Sequence, residues 1–114
     1  MKKHIRKTPV KEDCPMEMTL NIISGKWKPG ILSGLLIGPQ RPKDLSEGLP
    51  EATKRVLTQQ LRELEKDGIV TKKVYDEVPL RVEYSLTPMG KSLSPVFKAL
   101  NEWGTKYYEE RRTQ

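Results

Sequence analysis

The fold of this chain is decided by residues 53–87, which read TKRVLTQQLRELEKDGIVTKKVYDEVPLRVEYSLT. The first part has the spacing of an amphipathic helix, with an apolar stripe at Leu57, Leu61 and Leu64. Thr53 precedes this stripe as a candidate N-cap, and Gly68 follows it as a helix stop. The sequence therefore predicts a helix over residues 53–67.

The second part of the stretch changes to the alternation that is typical of β-strands. Apolar side chains alternate with polar ones in two runs, at Val70 and Val74 and then at Val82, Tyr84 and Leu86. A turn around Asp76–Leu80 separates the runs, so we expect a β-hairpin directly after the helix. A helix that can enter a DNA major groove, followed at once by a basic hairpin, is the layout of a winged helix-turn-helix.

The rest of the chain predicts further helices, at about residues 15–24, 27–37, 42–48 and 88–111. The short helix at 42–48, a turn at Leu49-Pro50 and the longer helix after it form a helix-turn-helix. We expect an α+β fold, mainly helical, with a two-stranded β-wing and a C-terminal dimerisation helix. This domain spans residues 14–114 behind a flexible basic arm at residues 1–13, and residues 15–24 and 88–111 supply the dimerisation helices.

Composition narrows the range of functions. The 114 residues make one domain with 21 Lys and Arg against 15 Asp and Glu, a net charge of +6. That balance favours a polyanionic partner, with a solvated basic surface as the alternative. One cysteine and one histidine are too few for a zinc site, and His4 lies in the charged arm. We therefore expect no enzyme, no metal and no cofactor.

The N-terminal segment and the apolar runs indicate where the protein resides. Lysine and arginine near the N-terminus are not followed by the apolar segment of a secretory signal. The longest apolar run, Ile31–Ile37, is far too short to cross a bilayer. Because the one cysteine is also unpaired, we expect a cytoplasmic protein with no membrane contact.

The outer face of the predicted helix at 53–67 combines cations with amide and hydroxyl side chains. Cations bind phosphates, whereas amides and hydroxyls read base edges. An ordinary solvated basic face is the alternative. We predict DNA contacts from the helix, its N-cap, the preceding helix and the wing, namely Thr53, Lys54, Arg55, Thr58, Gln59, Arg62, Lys43, Lys72 and Arg81.

The wing offers one arginine beside its turn. Arg81 is the best candidate for a minor-groove or phosphate contact, because a narrow minor groove attracts arginine. Asp76 and Glu77 at the tip of the turn weigh against this, since they would repel phosphate. A purely structural hairpin is the alternative.

The last predicted helix carries a broad apolar stripe, at Leu93, Val96, Phe97, Leu100, Trp103 and Tyr107. Burying one such side chain contributes about 1.5–3 kcal/mol, so the stripe needs a covering surface. Packing on its own domain is one solution. We favour pairing with a second copy, because helix-turn-helix proteins bind two half-sites as dimers. The predicted dimer interface comprises Met16, Leu20, Val96, Leu100, Trp103 and Tyr107.

Cys14 stands directly before Pro15 at the start of the first helix. Exposed N–H groups and the helix dipole at such a position favour a thiolate. A free cysteine is, however, more often a small packed side chain than a reactive group. On the residues alone, both roles for Cys14 stay open.

An ordered set of motifs runs through the chain, namely Cys14-Pro15, Gly25-Lys26-Trp27, Leu57–Glu65, Asp67-Gly68, Pro79, Glu83–Thr87, Gly90 and Trp103. This combination resembles the HxlR family of bacterial, MarR-like winged-helix transcriptional regulators. The resemblance implies homodimers that bind inverted-repeat operators and pair through their first and last helices. Several relatives sense electrophiles or oxidants with the cysteine of the Cys-Pro pair, which implies redox sensing for Cys14. Any disulfide must join two chains or a small thiol.

We therefore expect a sequence-specific regulator that binds double-stranded DNA, a homodimeric repressor at an inverted-repeat operator that responds to electrophiles or oxidants. Two alternatives stay open. One is a winged-helix module for protein–protein contact, which the basic and polar outer face of the helix at 53–67 disfavours. The other is a regulator with an unknown small-molecule effector and an inert Cys14.

Overall fold

The computed structural model of the chain describes residues 13–112. Within that range the elements follow the order α1 (Pro15–Ile23), α2 (Lys28–Ile37), α3 (Pro42–Gly48), α4 (Lys54–Lys66), β1 (Val70–Tyr75), β2 (Arg81–Leu86), α5 (Pro88–Lys91) and α6 (Ser94–Arg112). The predicted α+β class, mainly helical with a two-stranded antiparallel sheet, is confirmed. The basic arm predicted at residues 1–13 lies, except for Asp13, outside the described residues.

The core lies where α2, α4 and the sheet meet. Its buried apolar residues are Ile23, Ile31, Leu32, Leu35, Leu45, Ala52, Leu57, Leu61, Leu64, Ile69, Val70, Tyr84 and Leu86. The three leucines that predicted the amphipathic helix are all among them, so the stripe on α4 is its inward face. No helix among the described residues has the length and apolar character needed to cross a membrane.

A single residue determines where α4 begins, and another determines where it ends. At the start, Thr53 Oγ1 accepts a hydrogen bond of 3.1 Å from the backbone N–H of Val56. At the end, Gly68 adopts a φ of +75°, a left-handed conformation that costs glycine no Cβ strain. The N–H of Ile69 then donates to the carbonyl of Leu64 at 2.9 Å. The chain therefore turns from α4 into β1 within residues 67–69.

The predicted hairpin is present, and its two strands pair in antiparallel register. Val70 lies opposite Leu86, and Val74 lies opposite Val82. The segment between α2 and α3 is tied to the same sheet, because Gln40 and Tyr84 exchange two backbone hydrogen bonds of 2.8 and 2.9 Å. The wing is thereby anchored to the helices that precede α4.

The single helix predicted at 88–111 is wrong, because the chain breaks between α5 and α6. Pro95 has no N–H to donate to the carbonyl of Lys91, and its ring would clash with that carbonyl in a continuous helix. Instead, the N–H of Leu93 donates to the carbonyl of Gly90 at 3.1 Å, which closes a tight turn. The first helix agrees with prediction to within one residue.

The contact of α5 with the sheet gives a prediction on stability. An added Cβ at Gly90 would collide with the carbonyl oxygen of Ile69 and lie 3.1 Å from Leu86 Cδ2. Gly90→Ala should therefore lower the free energy of unfolding by about 1–3 kcal/mol in chemical denaturation. Gly48→Ala is the matched control, because nothing lies within 4 Å of its Cβ position. It should stabilise by at most about 1 kcal/mol, and equal losses in both variants would contradict the close packing at Gly90.

Candidate nucleic-acid interface

The side of α4 that faces away from the core is polar and exposed. A shallow concavity on it is lined by Lys54, Arg55, Thr58, Gln59 and Arg62, which we call the α4 outer face. All five were predicted from the sequence to contact DNA, and the fold brings them onto one surface. Four of them are exposed and Gln59 is half-buried. A helical face of this composition offers cations for phosphates together with an amide and a hydroxyl for base edges.

Two further predicted residues flank this face. Thr53 is exposed at the start of α4, where its hydroxyl oxygen caps the helix. Lys43 lies on α3 with its ammonium 4.0 Å from the Glu47 carboxylate, and both side chains are largely exposed. Such an exposed pair contributes little to stability, so Lys43 is available to an external anion.

Arg81 is held inside the wing. Its Nε–H donates to Glu77 Oε2 at 3.0 Å, and its Nη1–H donates to Glu83 Oε2 at 3.3 Å. The guanidinium also lies 3.7 Å from the ring centroid of Tyr75. Two carboxylates and an aromatic ring therefore fix this arginine and offset its charge. Its contact with DNA stays a prediction.

The other cations of the wing, the lysines of β1, are more exposed than Arg81. Lys72 and Lys73 on β1 are both exposed, and the Lys73 ammonium lies 4.8 Å from the Tyr75 ring centroid. The acidic tip that weighed against DNA contact is partly explained by the structure, because Glu77 is paired with Arg81 at 2.9 Å. The wing therefore presents exposed lysines on β1 and a tip where Glu77 is paired with Arg81 and Asp76 is exposed.

A buried ion pair lies beneath α4 and escaped the sequence analysis. Lys28, at the first position of α2, is 0% exposed, and its Nζ lies 2.6 Å from Glu63 Oε1. Among the described residues Nζ has no hydrogen-bond partner of good geometry, so the attraction is mainly between the two charges. A lysine is disfavoured at a helix N-terminus by the helix dipole, and this unfavourable placement was the one available signal.

A second polar contact joins the same two helices. The backbone N–H of Trp27 donates to Gln60 Oε1 at 3.1 Å, and Gln60 is itself buried. Glu63 and Gln60 lie on neighbouring turns of α4, and both reach the start of α2. These contacts fix the position of α4, and therefore of the α4 outer face, on the domain.

The buried pair gives a stability prediction. Glu63→Ala leaves the Lys28 charge buried without a partner, so the free energy of unfolding should fall by about 3–5 kcal/mol in chemical denaturation. The double variant Lys28→Met/Glu63→Leu should regain most of that loss, since apolar replacement of a buried pair is often neutral. Glu47→Ala breaks an exposed pair instead and should cost at most about 1 kcal/mol. A loss in Glu63→Ala as small as in Glu47→Ala would contradict the role of the pair.

Tyr84 is the buried titratable group of the sheet. Burial raises the pKa of its phenol, and the Glu65 carboxylate raises it further, while Arg62 acts in the opposite direction. The phenol is therefore neutral at physiological pH. Its ring forms part of the floor of a groove of about 630 Å³ between α3, the start of α4 and the wing. No pattern in the sequence indicates this groove.

The predicted dimer residues divide into two groups. Val96 is half-buried, and its neighbour Phe97 packs against the core together with Leu93. The others are exposed large apolar side chains, namely Met16, Leu20, Leu100, Trp103 and Tyr107. Packing on its own domain therefore covers the apolar side chains of only the first turn of α6. The rings of Trp103 and Tyr107 stack at 5.2 Å and leave an apolar surface on α6.

Cys14 is the N-cap residue of α1, and its side chain is half-buried. Its carbonyl accepts a hydrogen bond of 3.0 Å from the N–H of Met18, whereas the thiol makes no capping hydrogen bond. The predicted arrangement of Cys14 before Pro15 at the helix start is therefore present. Exposed Met16 lies in the first turn of the same helix.

Comparison with known proteins places this geometry in a family. A model of the HxlR-like helix-turn-helix family matches residues 22–112. The chain is 49% identical over 96 residues to the uncharacterized HTH-type transcriptional regulator YdeP of Bacillus subtilis, covering 84% of this chain and 75% of that protein.

Solved structures agree with the sequence comparison. The redox regulator HypR in its reduced form is 42% identical, with a TM-score of 0.83 over 89% of this chain and 100% of that one. The reduced form of the transcriptional regulator YodB from Bacillus subtilis is 34% identical, with a TM-score of 0.75 over 82% of this chain and 93% of that one. These relatives are transcriptional regulators and not enzymes, so both the expected family and the expected absence of enzymatic function are confirmed. The chain belongs to the HxlR-like helix-turn-helix family of transcriptional regulators.

Proposed function

We propose that this protein is a homodimeric repressor that inserts the α4 outer face into the major groove of an inverted-repeat operator. The observation that carries this is the gathering of Lys54, Arg55, Thr58, Gln59 and Arg62 on one exposed surface. Phosphate contacts from the cations set the position, and contacts from the amide and hydroxyl groups distinguish the bases. Occupation of a promoter by the dimer blocks access to it. This role locates the protein in the cytoplasm, beside bacterial chromosomal DNA.

A homodimer is supported by the apolar surface that the single chain leaves uncovered. Met16 on α1 is 73% exposed and Trp103 on α6 is 68% exposed. None of the 19 residues of α6 is buried, although the helix carries an aromatic pair and a leucine on its stripe. A second copy that covers α1 and α6 would bury these side chains and hold two α4 helices at a fixed separation.

A response to oxidants through Cys14 is supported by its position and by the relatives. HypR is described as a redox regulator, and YodB has been crystallised after treatment with diamide. Cys14 lies at the start of α1, close in sequence to the exposed Met16 of the surface proposed for the dimer. Because Cys14 is the only cysteine, oxidation can join two chains or attach a small thiol, and either changes the spacing of the two α4 helices.

Binding to a duplex selected from a random pool tests the DNA-binding role. The selected sequences should contain an inverted repeat whose half-sites lie about 34 Å apart, one turn of DNA. Affinity measured by fluorescence anisotropy should fall by orders of magnitude between roughly 50 and 200 mM salt, because bound cations release counterions. Arg62→Ala should lose about 1–3 kcal/mol on the selected site and much less on random DNA.

Two further variants serve as a control and a comparison for the DNA-binding test. Lys91→Ala removes an exposed cation from α5, away from the α4 outer face, and should leave discrimination between selected and random DNA unchanged. Arg81→Ala should weaken binding to both DNAs alike. Salt-independent binding, or an equal loss on both DNAs for Arg62→Ala, would contradict the placement of α4 in the major groove.

The proposed dimer can be tested by charge insertion on α6. Trp103→Glu should bury an unpaired carboxylate in the interface, so the protein should sediment as a monomer at micromolar concentration. Operator affinity should fall with it, although Trp103 is not on the α4 outer face. Lys98→Glu adds the same carboxylate to α6 outside the apolar stripe and should remain dimeric. A dimeric Trp103→Glu variant with normal operator affinity would remove α6 from the interface.

The role of Cys14 is tested with diamide, which takes two electrons and two protons from two thiols as a disulfide forms between chains. Treated wild-type protein should run at dimer mass on a non-reducing gel and release operator DNA. Dithiothreitol should reverse both effects, and Cys14→Ser should bind the operator normally with or without diamide. Unchanged operator binding by fully oxidised wild-type protein would leave Cys14 as a packing residue.

A further inference from the structure

The groove between the helix-turn-helix and the wing has the size and walls of a small-molecule site. Its volume of about 630 Å³ lies within the range of about 300–1,000 Å³ that such sites occupy. The floor is formed by the outer edges of core residues, including Leu45, Leu57 and Leu61. The opposite wall is the turn of the wing, where Val78 is fully exposed and Leu80 is 63% exposed. Apolar side chains therefore face the groove from both sides.

The rim of the groove is cationic. Arg41, Lys43 and Lys54 line it from the side of α3 and α4. On the wing side the lining includes Arg81 and Glu77, which are paired at 2.9 Å. Glu77 is the one carboxylate among the lining residues, so the side of α3 and α4 keeps an excess of positive charge. An apolar interior with a cationic rim fits a molecule that is apolar at one end and anionic at the other.

We propose that this groove binds a small amphipathic organic anion, an apolar body carrying one carboxylate, and that the bound anion displaces DNA. The apolar body lies between the leucines of the helix-turn-helix and Leu80 of the wing, and the carboxylate pairs with the cations of α3 and α4. The displacement of DNA rests on the function proposed above, whereas binding of the anion does not.

Competition follows from residues that the two surfaces share. Lys54 and Thr58 line both the groove and the α4 outer face. A carboxylate beside Lys54 offsets a charge that a DNA phosphate would otherwise use, and the body of the anion fills the space beside Thr58. By linkage, the factor by which the anion weakens DNA binding equals the factor by which DNA weakens anion binding.

The alternative occupant is a DNA phosphate, which would need the cations but not the apolar walls. A phosphodiester is strongly hydrated, and apolar side chains on both sides of it would leave its oxygens without donors. The walls at Leu57 and Leu80 therefore favour the amphipathic anion. Inorganic phosphate serves as the probe for this alternative.

The experiment follows backbone amide resonances of the ¹⁵N-labelled full chain during titration with 2-naphthoate, without DNA. We expect saturable shifts confined to the ends of α3 and α4 and the turn of the wing. The neutral amide 2-naphthamide should bind about tenfold more weakly, since one ion pair is lost. Leu80→Ser should weaken 2-naphthoate binding about tenfold, because the apolar wall is removed. Val74→Ser, on an exposed wing residue outside the groove, should leave it unchanged.

The second arm measures displacement from the duplex selected above. At a 2-naphthoate concentration 100 times its dissociation constant, the apparent dissociation constant for DNA should rise about 100-fold. Leu80→Ser should reduce this rise relative to its own value without the anion, and Val74→Ser should not. Lys54→Gln should weaken 2-naphthoate more than it weakens 2-naphthamide.

Three results would overturn the inference. The first is the absence of saturable shifts at millimolar 2-naphthoate, and the second is shifts centred on α1 and α6. The third is an equal response to inorganic phosphate, which would make the groove a phosphate site. Because the titration uses no DNA, a protein that binds the selected duplex but not 2-naphthoate contradicts this inference alone. A protein that binds 2-naphthoate but no DNA contradicts the function proposed above.

Discussion

The packing of α4 against α2 is the contact on which the rest of the structure depends. Leucines on α4 bury an apolar stripe, and the Lys28–Glu63 pair at 2.6 Å lies beside it. Gln60 adds a hydrogen bond to the backbone of Trp27. The apolar contact supplies the stability and has no preferred register, whereas the ion pair and the hydrogen bond have defined partners. The α4 outer face is therefore presented in one orientation.

The wing is stabilised largely by contacts among its own residues. Arg81, Glu77, Glu83 and Tyr75 form one cluster across the two strands. A basic residue beside a hairpin turn thus has a structural role in closing the turn, while the lysines on β1 are the exposed cations of the wing. Arg81 and Glu77 of this cluster also line the groove beside α3 and α4.

Two surfaces of the single chain are apolar and uncovered, and they differ in kind. The exposed apolar side chains of α1 and α6, which include the stacked rings of Trp103 and Tyr107, suit a second copy of the chain. The groove beside the wing is concave and has a cationic rim, and suits a small anion. Under the roles proposed above, signals would reach the protein at the dimer surface, beside Cys14, and at the groove next to the α4 outer face.

The sequence by itself determined α4, the hairpin and the α4 outer face, because periodicity, caps and glycine stops act over a few residues. The sequence also contains the signal for the break before α6, because Pro95 cannot continue a helix that begins at Pro88. The spacing of the apolar stripe, however, favoured one long helix. Only the tertiary structure decided the burial of Lys28 and the position of the groove. Lys28 and Glu63 are distant in sequence, and the groove joins α3, α4 and the wing turn. Such contacts depend on how segments pack together, and local patterns do not encode that packing.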